Sequence, residues 1–330
     1  FWIGAALGAL GAVVVLDPRL FAPDIGWRLA FLIGGALAVI VVFLRRFLPE
    51  SPRWLMTHGR PEEAERVTAD IEARISPPAD SPRRAVQLHL SRMHKLALAS
   101  VAEVLLRRYP KRVVLGLTLM ATQAFCYNAI FFTYALILTR FYGVAPARIG
   151  WFVLPFALGN FLGPLLLGRL FDTIGRKPMI AGTYSISGIL VIVAGFLFRA
   201  GVLDATTQTA VWTVIFFFAS AGASAAYLTV GESFPLEMRA LSIALFYAFG
   251  TAIGGIAGPA LFGALIATGA RSEILWGYLI GGSLMLSAAI VELMLGIPAE
   301  GRSLEEIALP LSHRPSPFRD LDGRAAPDIS

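Results

Sequence analysis

The chain has 330 residues, of which 56% are hydrophobic and only 15% charged, and its net charge is +6. Soluble globular domains average about 25% charged residues, and apolar stretches of 20 or more residues are typical of membrane spans. The composition therefore excludes a soluble globular protein and predicts an all-α integral membrane protein in a lipid bilayer, with no nucleic-acid partner.

At about 20 apolar residues per span, the sequence predicts eight membrane helices. They cover residues 1–16, 27–47, 112–139, 148–170, 178–200, 208–231, 239–268 and 273–296. Small residues recur in each and let helix backbones approach closely in lipid. The two clearest stripes, which we interpret as packing faces rather than gates, are Gly4, Gly8 and Gly11 in the first span and Gly250, Gly254 and Gly258 in the seventh. Pro259 is expected to kink the seventh span.

A charged connector, residues 48–111, separates the second span from the third. It opens with Leu48–Leu55, whose two prolines cannot continue a helix. Pro61–Ile75 has the pattern of a short amphipathic helix, and residues 83–108 read as helical again. We expect two or three short cytosolic helices against the membrane end of the bundle. The tail, residues 307–330, is expected to be disordered.

Lysine and arginine are distributed unequally between the two sides of the predicted bundle. Connections on one side, including the long connector and the C-terminus, hold twenty-two of these residues, and those on the other side hold six. The positive-inside rule therefore predicts that the connector and the C-terminus are cytoplasmic. The preference for arginine over lysine indicates a bacterial source, and hence a bacterial inner membrane.

Three clusters of charged residues lie at predicted helix ends on that cytosolic side, namely Gly168–Lys177, Gly231–Arg239 and Gly296–Glu306. Charges at the bilayer centre cost about 2.5–3.5 kcal/mol each, so confinement to helix ends is expected of any membrane protein. Acids and bases recurring together at one face are less expected. We predict that they pair when the cytosolic helix ends close, the acids being Asp172, Glu232 and Glu300 and the bases Arg176, Arg239 and Arg53.

Four motifs follow one another along the chain. They are Pro49–Leu55 as PESPRWL, Gly168–Lys177 as GRxxDxxGRK, Glu232–Arg239 as ExFPxxxR, and Pro298–Glu306 as PAEGRSLEE. In this order they resemble the major facilitator superfamily, specifically its sugar-porter-like metabolite transporters. The resemblance implies the major facilitator fold, with eight of twelve expected helices in this chain and about four N-terminal helices outside it. Residues 1–47 would close the first six-helix half, and residues 112–306 would form the second.

In that family, acid–base clusters of this kind are gate locks rather than substrate contacts. The resemblance implies this role for Glu50, Arg53, Asp172, Arg176, Glu232 and Arg239. Fixed ion pairs at helix ends, with no switching, are the alternative. Glu292, about one turn from the end of the last span, is expected to be interfacial rather than a proton relay.

Polar side chains near mid-membrane are costly in hydrocarbon, so we expect them to face a cavity. Thr122–Tyr134 is similar to the family's QQxxGxNxxxYY, with Gln123 and Asn128 matching, and an aromatic residue of the family's GPxxW segment falls on Tyr227. The residues predicted to contact substrate are Gln123, Tyr127, Asn128, Tyr134, Asn160 and Tyr227. For Asn160, an amide that bridges two helices is the alternative.

The sequence thus predicts a secondary transporter that moves a small polar solute, a sugar or an organic acid, by alternating access with protons as the coupling ion. No cofactor and no metal are expected, because one cysteine and four scattered histidines form no ligand cluster. An integral-membrane enzyme is the first rival, although no nucleophile–base pair is visible at membrane depth. A sensor or binding protein with this fold, or an inactive truncated fragment, are the others.

Overall fold

The computed structural model describes residues 2–74, 98–235, 237–300, 302, 304–308 and 311. All regular secondary structure in these residues is helical. Part of the second helix predicted in the connector, and most of the tail predicted to be disordered, lie outside the described residues.

Thirteen α-helices follow in chain order within the described residues. They are α1 Trp2–Val15, α2 Pro23–Leu44, α3 Pro52–Thr57, α4 Pro61–Arg74, α5 Leu98–Glu103, α6 Pro110–Tyr142, α7 Ile149–Thr173, α8 Arg176–Arg199, α9 Ala205–Glu232, α10 Arg239–Gly250, α11 Ile256–Ala267, α12 Arg271–Leu295 and α13 Leu304–Ile307. Each of the eight predicted spans corresponds to helical structure. Seven of these segments, with α10 and α11 counted as one, are long and apolar enough to cross a membrane, whereas α1 is shorter.

The seventh predicted span is interrupted rather than continuous. A π-helical segment, Thr251–Gly255, separates α10 from α11. Pro259 lies four residues beyond the end of this segment, and its ring clashes with the carbonyl group of the residue four positions earlier, which disrupts regular α-helical bonding. The structure thus has a π-helical segment in the span where the sequence predicts a kink at Pro259.

Helices α6–α12 pack into one bundle around a common apolar core that contains Trp212, Phe198 and Tyr278. The most extensively packed pairs are α8 with α12, α7 with α9, α8 with α9, and α6 with α11. Small residues permit these approaches: a Cβ atom at Gly163 would overlap the carbonyl oxygen of Phe217, where α7 crosses α9. Close packing of helix backbones at small residues is a main source of association in lipid.

The glycine stripe of the seventh span is such a packing face. A Cβ atom at Gly250 would lie 2.8 Å from Cβ of Met120, and one at Gly258 would lie 2.6 Å from the carbonyl oxygen of Phe125. In α1 the outcome differs, because Cβ atoms at Gly4, Gly8 and Gly11 would meet nothing within 4 Å in the described part of the chain.

The connector contributes two small units. Helices α3 and α4 pack against each other and bury Leu55 and Ala64, and α4 confirms the amphipathic helix predicted there. Helix α5 and the π-helical segment after it place Val101 and Leu105 in an apolar cluster with Phe234. The second unit therefore lies against one end of the bundle, as expected for part of the connector.

Candidate functional site

A cavity of about 920 Å³ lies between α6, α9 and the α10–α11 segment. Its lining consists of Gln123, Ala124, Tyr127, Asn128, Phe131, Phe132, Ala223, Ser224, Tyr227, Tyr247 and Thr251. These residues present amides, hydroxyl groups and aromatic rings, and none of the described lining residues is charged. We call this space the Tyr227 cavity. Its size and its mixture of apolar walls with a few polar groups are typical of small-molecule sites.

Four of the six side chains predicted to contact substrate line this cavity: Gln123, Tyr127, Asn128 and Tyr227. The first two lie four residues apart on α6 and so project from one face of that helix. The side chain of Gln123 lies against the hydroxyl group of Tyr227, which brings α6 and α9 together at the cavity wall. The amide nitrogen of Asn128 donates to the carbonyl oxygen of Ala124 at 2.7 Å, within α6 itself.

Asn160 and Tyr134, the remaining two, lie outside the cavity. Asn160 is fully buried, accepts a hydrogen bond from the hydroxyl group of Tyr127 at 3.1 Å, and donates to the carbonyl oxygen of Phe156 at 3.1 Å. This geometry favours the interpretation of Asn160 as an amide that bridges α6 and α7. The hydroxyl group of Tyr134 lies 2.5 Å from that of Thr209, between α6 and α9.

Several lining residues escaped the sequence analysis. The ring of Tyr247 lies 6.2 Å from that of Tyr227, and Thr251 begins the π-helical segment. Tyr247 and Thr251 are four residues apart in an apolar span, the same signal that identified Gln123 and Tyr127 on α6. Phe131 also borders the cavity and stacks on the ring of Tyr127, with the two ring centroids 6.0 Å apart.

The second cluster of interest is at the Arg176 end, which we define as the end of the bundle where α8 begins at Arg176, α9 ends at Glu232 and α12 ends at Leu295. The Arg176 guanidinium forms an ion pair with the carboxylate of Glu232, and the two side chains are only 16% and 22% exposed. The backbone N–H of Arg176 donates to Oε2 of Glu300 at 3.4 Å. Three of the four sequence motifs thus meet at the N-terminus of α8, which favours negative charge.

Gly175 makes room for this meeting. Its φ angle of +115° is one that residues with a side chain rarely adopt, and a Cβ atom there would lie 3.0 Å from Oε1 of Glu300. The glycine therefore permits both the turn before α8 and the approach of the carboxylate.

The other predicted lock residues do not join this ion pair. Arg239 donates through Nη2 to the carbonyl oxygen of Phe234 at 3.3 Å, which stabilises the turn between α9 and α10. Glu50, Arg53 and Asp172 are exposed, and none of them contacts the Arg176–Glu232 pair in the described structure.

Arg112 is a further residue that the sequence analysis did not single out. Its guanidinium donates to the carbonyl oxygen of Ser233 at 2.5 Å and to that of Ile307 at 2.9 Å, and it lies over the ring of Tyr109. It thereby ties the first turn of α6 to the end of α9 and to α13. Backbone carbonyl groups carry no sequence signal, so neither partner could be read in advance.

A bundle of membrane helices with an uncharged polar cavity and an ion-paired end is an arrangement that solute transporters use. Residues 3–309 match the family described as "Sugar (and other) transporter", and the chain belongs to that family. This membership confirms the resemblance to sugar-porter-like members of the major facilitator superfamily and identifies the chain as an integral membrane protein.

Three relatives, two bacterial and one from a plant, show the extent of the similarity. The chain is 26% identical over 94% of its length to "Niacin transporter NiaP" of Acinetobacter baylyi, covering 66% of that protein. It is 28% identical over 88% of its length to "Putative metabolite transport protein YdjK" of Escherichia coli, covering 61% of it. For "Sugar transporter ERD6-like 12" of Arabidopsis thaliana the identity is 26% over 88% of this chain and 62% of that protein. The chain thus spans somewhat less than two thirds of these relatives.

Proposed function

We propose that the protein is a secondary transporter that moves a small polar solute, a sugar or an organic acid, across a membrane through the Tyr227 cavity. The observation that supports the proposal is the uncharged polar lining of that cavity. Amides and hydroxyl groups inside a membrane bundle are costly unless they have a polar partner. The named relatives are transporters, which supports transport rather than catalysis.

The chemistry of the lining favours a neutral solute over a charged one. Gln123, Asn128 and Tyr227 can donate and accept hydrogen bonds, and the rings of Tyr247 and Phe131 offer flat apolar faces. Burying a charged group without a partner costs several kcal/mol, and no described lining residue supplies a counter-charge. A sugar is therefore the first candidate, and an organic acid such as the one named for the Acinetobacter relative is the second.

Alternating access would open and close the Arg176 end. The Arg176–Glu232 pair joins the start of α8 to the end of α9, and Glu300 adds the segment that follows α12. Separation of these helix ends would break the ion pair and admit water, and closure would restore it. We place this end on the cytoplasmic side of a bacterial inner membrane, as the positive-inside rule predicts, and take protons as the coupling ion.

Uptake into proteoliposomes tests the proposal, with protein produced from the complete reading frame and a labelled panel of sugars and organic acids that includes niacin. One solute should exchange in counterflow, and Gln123→Ala should reduce that exchange by about tenfold, the equivalent of 1.4 kcal/mol from a lost hydrogen bond. Ser287→Ala is the matched control, because Ser287 is exposed and does not line the cavity. Binding without counterflow would favour a sensor, and an inert panel would contradict transport of these solutes.

A further inference from the structure

Glu292 lies in the last turn of α12, where the sequence analysis expected an interfacial side chain. The structure instead buries it completely, with 0% of the residue exposed. Neither carboxylate oxygen has a hydrogen-bond partner among the described residues. A buried, ionised carboxyl group without donors is costly, so such a group is stable mainly as the neutral acid.

The position within α12 adds to this effect. The C-terminal end of a helix carries partial negative charge, which disfavours a carboxylate in the last turn. A Cβ atom at Gly296 would lie 2.5 Å from Oε1 of Glu292, so this glycine leaves the space that the carboxyl group occupies. The local structure thus accommodates the carboxyl group sterically but offers it no hydrogen-bond donor among the described residues.

The helices packed against α12 are α8, α6 and α11. On α8, Lys177 and Tyr184 interact electrostatically with Glu292. Helix α11 carries no titratable residue. On α6, the basic residues at this end are Lys111 and Arg112.

Among these groups Lys177 is the cation that acts on Glu292, and it is the residue after Arg176 in the first turn of α8. Arg112 is engaged by the backbone carbonyl groups of Ser233 and Ile307. Glu300, in the segment that follows α12, is engaged by the backbone N–H of Arg176. A movement of α8 relative to both α9 and α12 would break the Arg176–Glu232 pair and also change the distance between Lys177 and Glu292.

We propose that Glu292 is the proton-binding carboxyl group that couples proton movement to the opening of the Arg176 end. It holds a proton while the Arg176–Glu232 pair is closed. When the helix ends separate and water enters, the O–H bond breaks, the proton passes to water, and the carboxylate pairs with Lys177. After the end has closed again, the carboxyl group takes its next proton from water that reaches the Tyr227 cavity from the opposite side of the membrane, through the region of Tyr184, which interacts electrostatically with both Glu292 and Tyr227. One proton therefore crosses the membrane in each cycle. This inference rests on the proposed transport function.

The test compares Glu292→Gln with the wild-type protein and with Glu273→Gln, in proteoliposomes of the full protein. Glu273 lies in the first turn of the same helix and is exposed, so its replacement makes the same Glu→Gln substitution away from the Arg176 end. Two assays run in parallel: accumulation of the transported solute under an inward proton gradient, and counterflow without a gradient. Glu292→Gln should abolish accumulation and retain counterflow, whereas Glu273→Gln should retain both.

The outcomes separate the two proposals. Gradient-driven accumulation by Glu292→Gln at the wild-type level would overturn the role of Glu292. Counterflow without accumulation in the wild-type protein would overturn proton coupling and leave the transport function standing. If no panel solute shows counterflow in the wild-type protein, the transport function itself fails and this inference fails with it.

A measurement on the wild-type protein keeps the inference falsifiable if Glu292→Gln does not fold. Detergent-purified protein in weak buffer is mixed with the transported solute, and a pH-sensitive dye reports proton release or uptake. A proton change that varies with pH is expected, because solute binding shifts the balance between closed and open ends. Solute binding without any proton change across the pH range would overturn the proposal.

Discussion

The α1–α2 pair and the α6–α12 bundle are both apolar, yet they bury their surfaces very differently. The span in α2 has a mean hydropathy of 2.3 and is 0% buried, whereas that in α6 has 1.5 and is 67% buried. Within this chain, the more apolar helix is thus the more exposed one. Hydropathy measures how favourable an apolar environment is for a helix, and lipid provides such an environment as well as protein does. Burial depends instead on complementary faces, which in α6 include polar side chains with partners.

The surroundings of the glycine residues show the same contrast between the two regions. Gly34 and Gly35 of α2 face nothing within 4 Å in the described structure, whereas Gly163 of α7 lies directly against the backbone of α9. The same residue type thus has different roles in the two regions, and substitutions can test this.

Gly163→Ala is expected to have the largest effect on stability. Its Cβ atom would overlap the carbonyl oxygen of Phe217, so α7 and α9 would have to separate, at a cost of about 1–3 kcal/mol or more for overpacking. Gly34→Ala, the matched control, should be neutral or slightly stabilising, because alanine has the higher helix propensity. Thermal unfolding in detergent measures both, and equal midpoints would contradict the packing contrast.

Breaking the ion pair of the Arg176 end should have the next largest effect. Arg176→Ala is expected to cost about 1–3 kcal/mol, somewhat less than removing one partner of a fully buried pair. Arg60→Ala, which breaks the Arg60–Glu63 pair whose side chains are 49% and 47% exposed, should cost less than about 1 kcal/mol.

A double-mutant cycle with Glu232→Ala isolates the coupling energy of the Arg176–Glu232 pair. The same variants test the lock, because Arg176→Ala and Glu232→Ala should slow solute exchange while the protein remains in the membrane. Normal exchange by either variant would favour a fixed ion pair with no switching.

Comparison of Asn160→Ala with Gln123→Ala distinguishes a residue that supports the cavity from one that lines it. Asn160→Ala leaves the buried hydroxyl group of Tyr127 without this acceptor, which should cost about 1–3 kcal/mol of stability and weaken solute binding indirectly. Gln123→Ala should weaken solute binding with little change in stability, because Gln123 is only partly buried at the cavity wall. Unfolding midpoints and solute affinities are measured together; a loss of affinity without loss of stability in Asn160→Ala would contradict the supporting role.

Asp204→Ala is expected to have the smallest effect. Asp204 caps α9 at the end opposite Arg176, and hydrogen bonds from Thr207, first of all from its backbone N–H, lower the pKa of this exposed carboxyl group below its ordinary value of 3.8. A lowered pKa in the folded state means that the stabilisation is present above the ordinary value and is lost as the pH falls through the folded value. Amide exchange in the first turn of α9 should rise in the variant at neutral pH, and equal exchange would contradict the cap.

Much of the fold could be predicted from the sequence, because membrane spans are recognised by their length and hydropathy. The predicted spans and the amphipathic helix in the connector follow from local patterns. The family resemblance came from motifs at helix ends. These features depend on neighbours along the chain, so the sequence contains their full signal.

The candidate site was only partly accessible in this way. Gln123 and Asn128 stand out as amides in an apolar span, but Asn160 is also an amide in such a span and lies outside the cavity. Glu292 looked interfacial because its distance from the helix end is visible in the sequence, whereas the helix that covers it is not. Arg112 was missed because its partners are backbone carbonyl groups.

The sequence alone therefore predicted the membrane-spanning segments and determined which family the motifs resemble, since both depend on local composition and order. Only the tertiary structure decided which polar side chains share a cavity, which acid meets Arg176, and which carboxyl group lacks a hydrogen-bond partner among the described residues. The physical reason is that the energy of a polar group in a membrane bundle depends on the groups that lie opposite it. What lies opposite is set by the packing of helices distant in the chain.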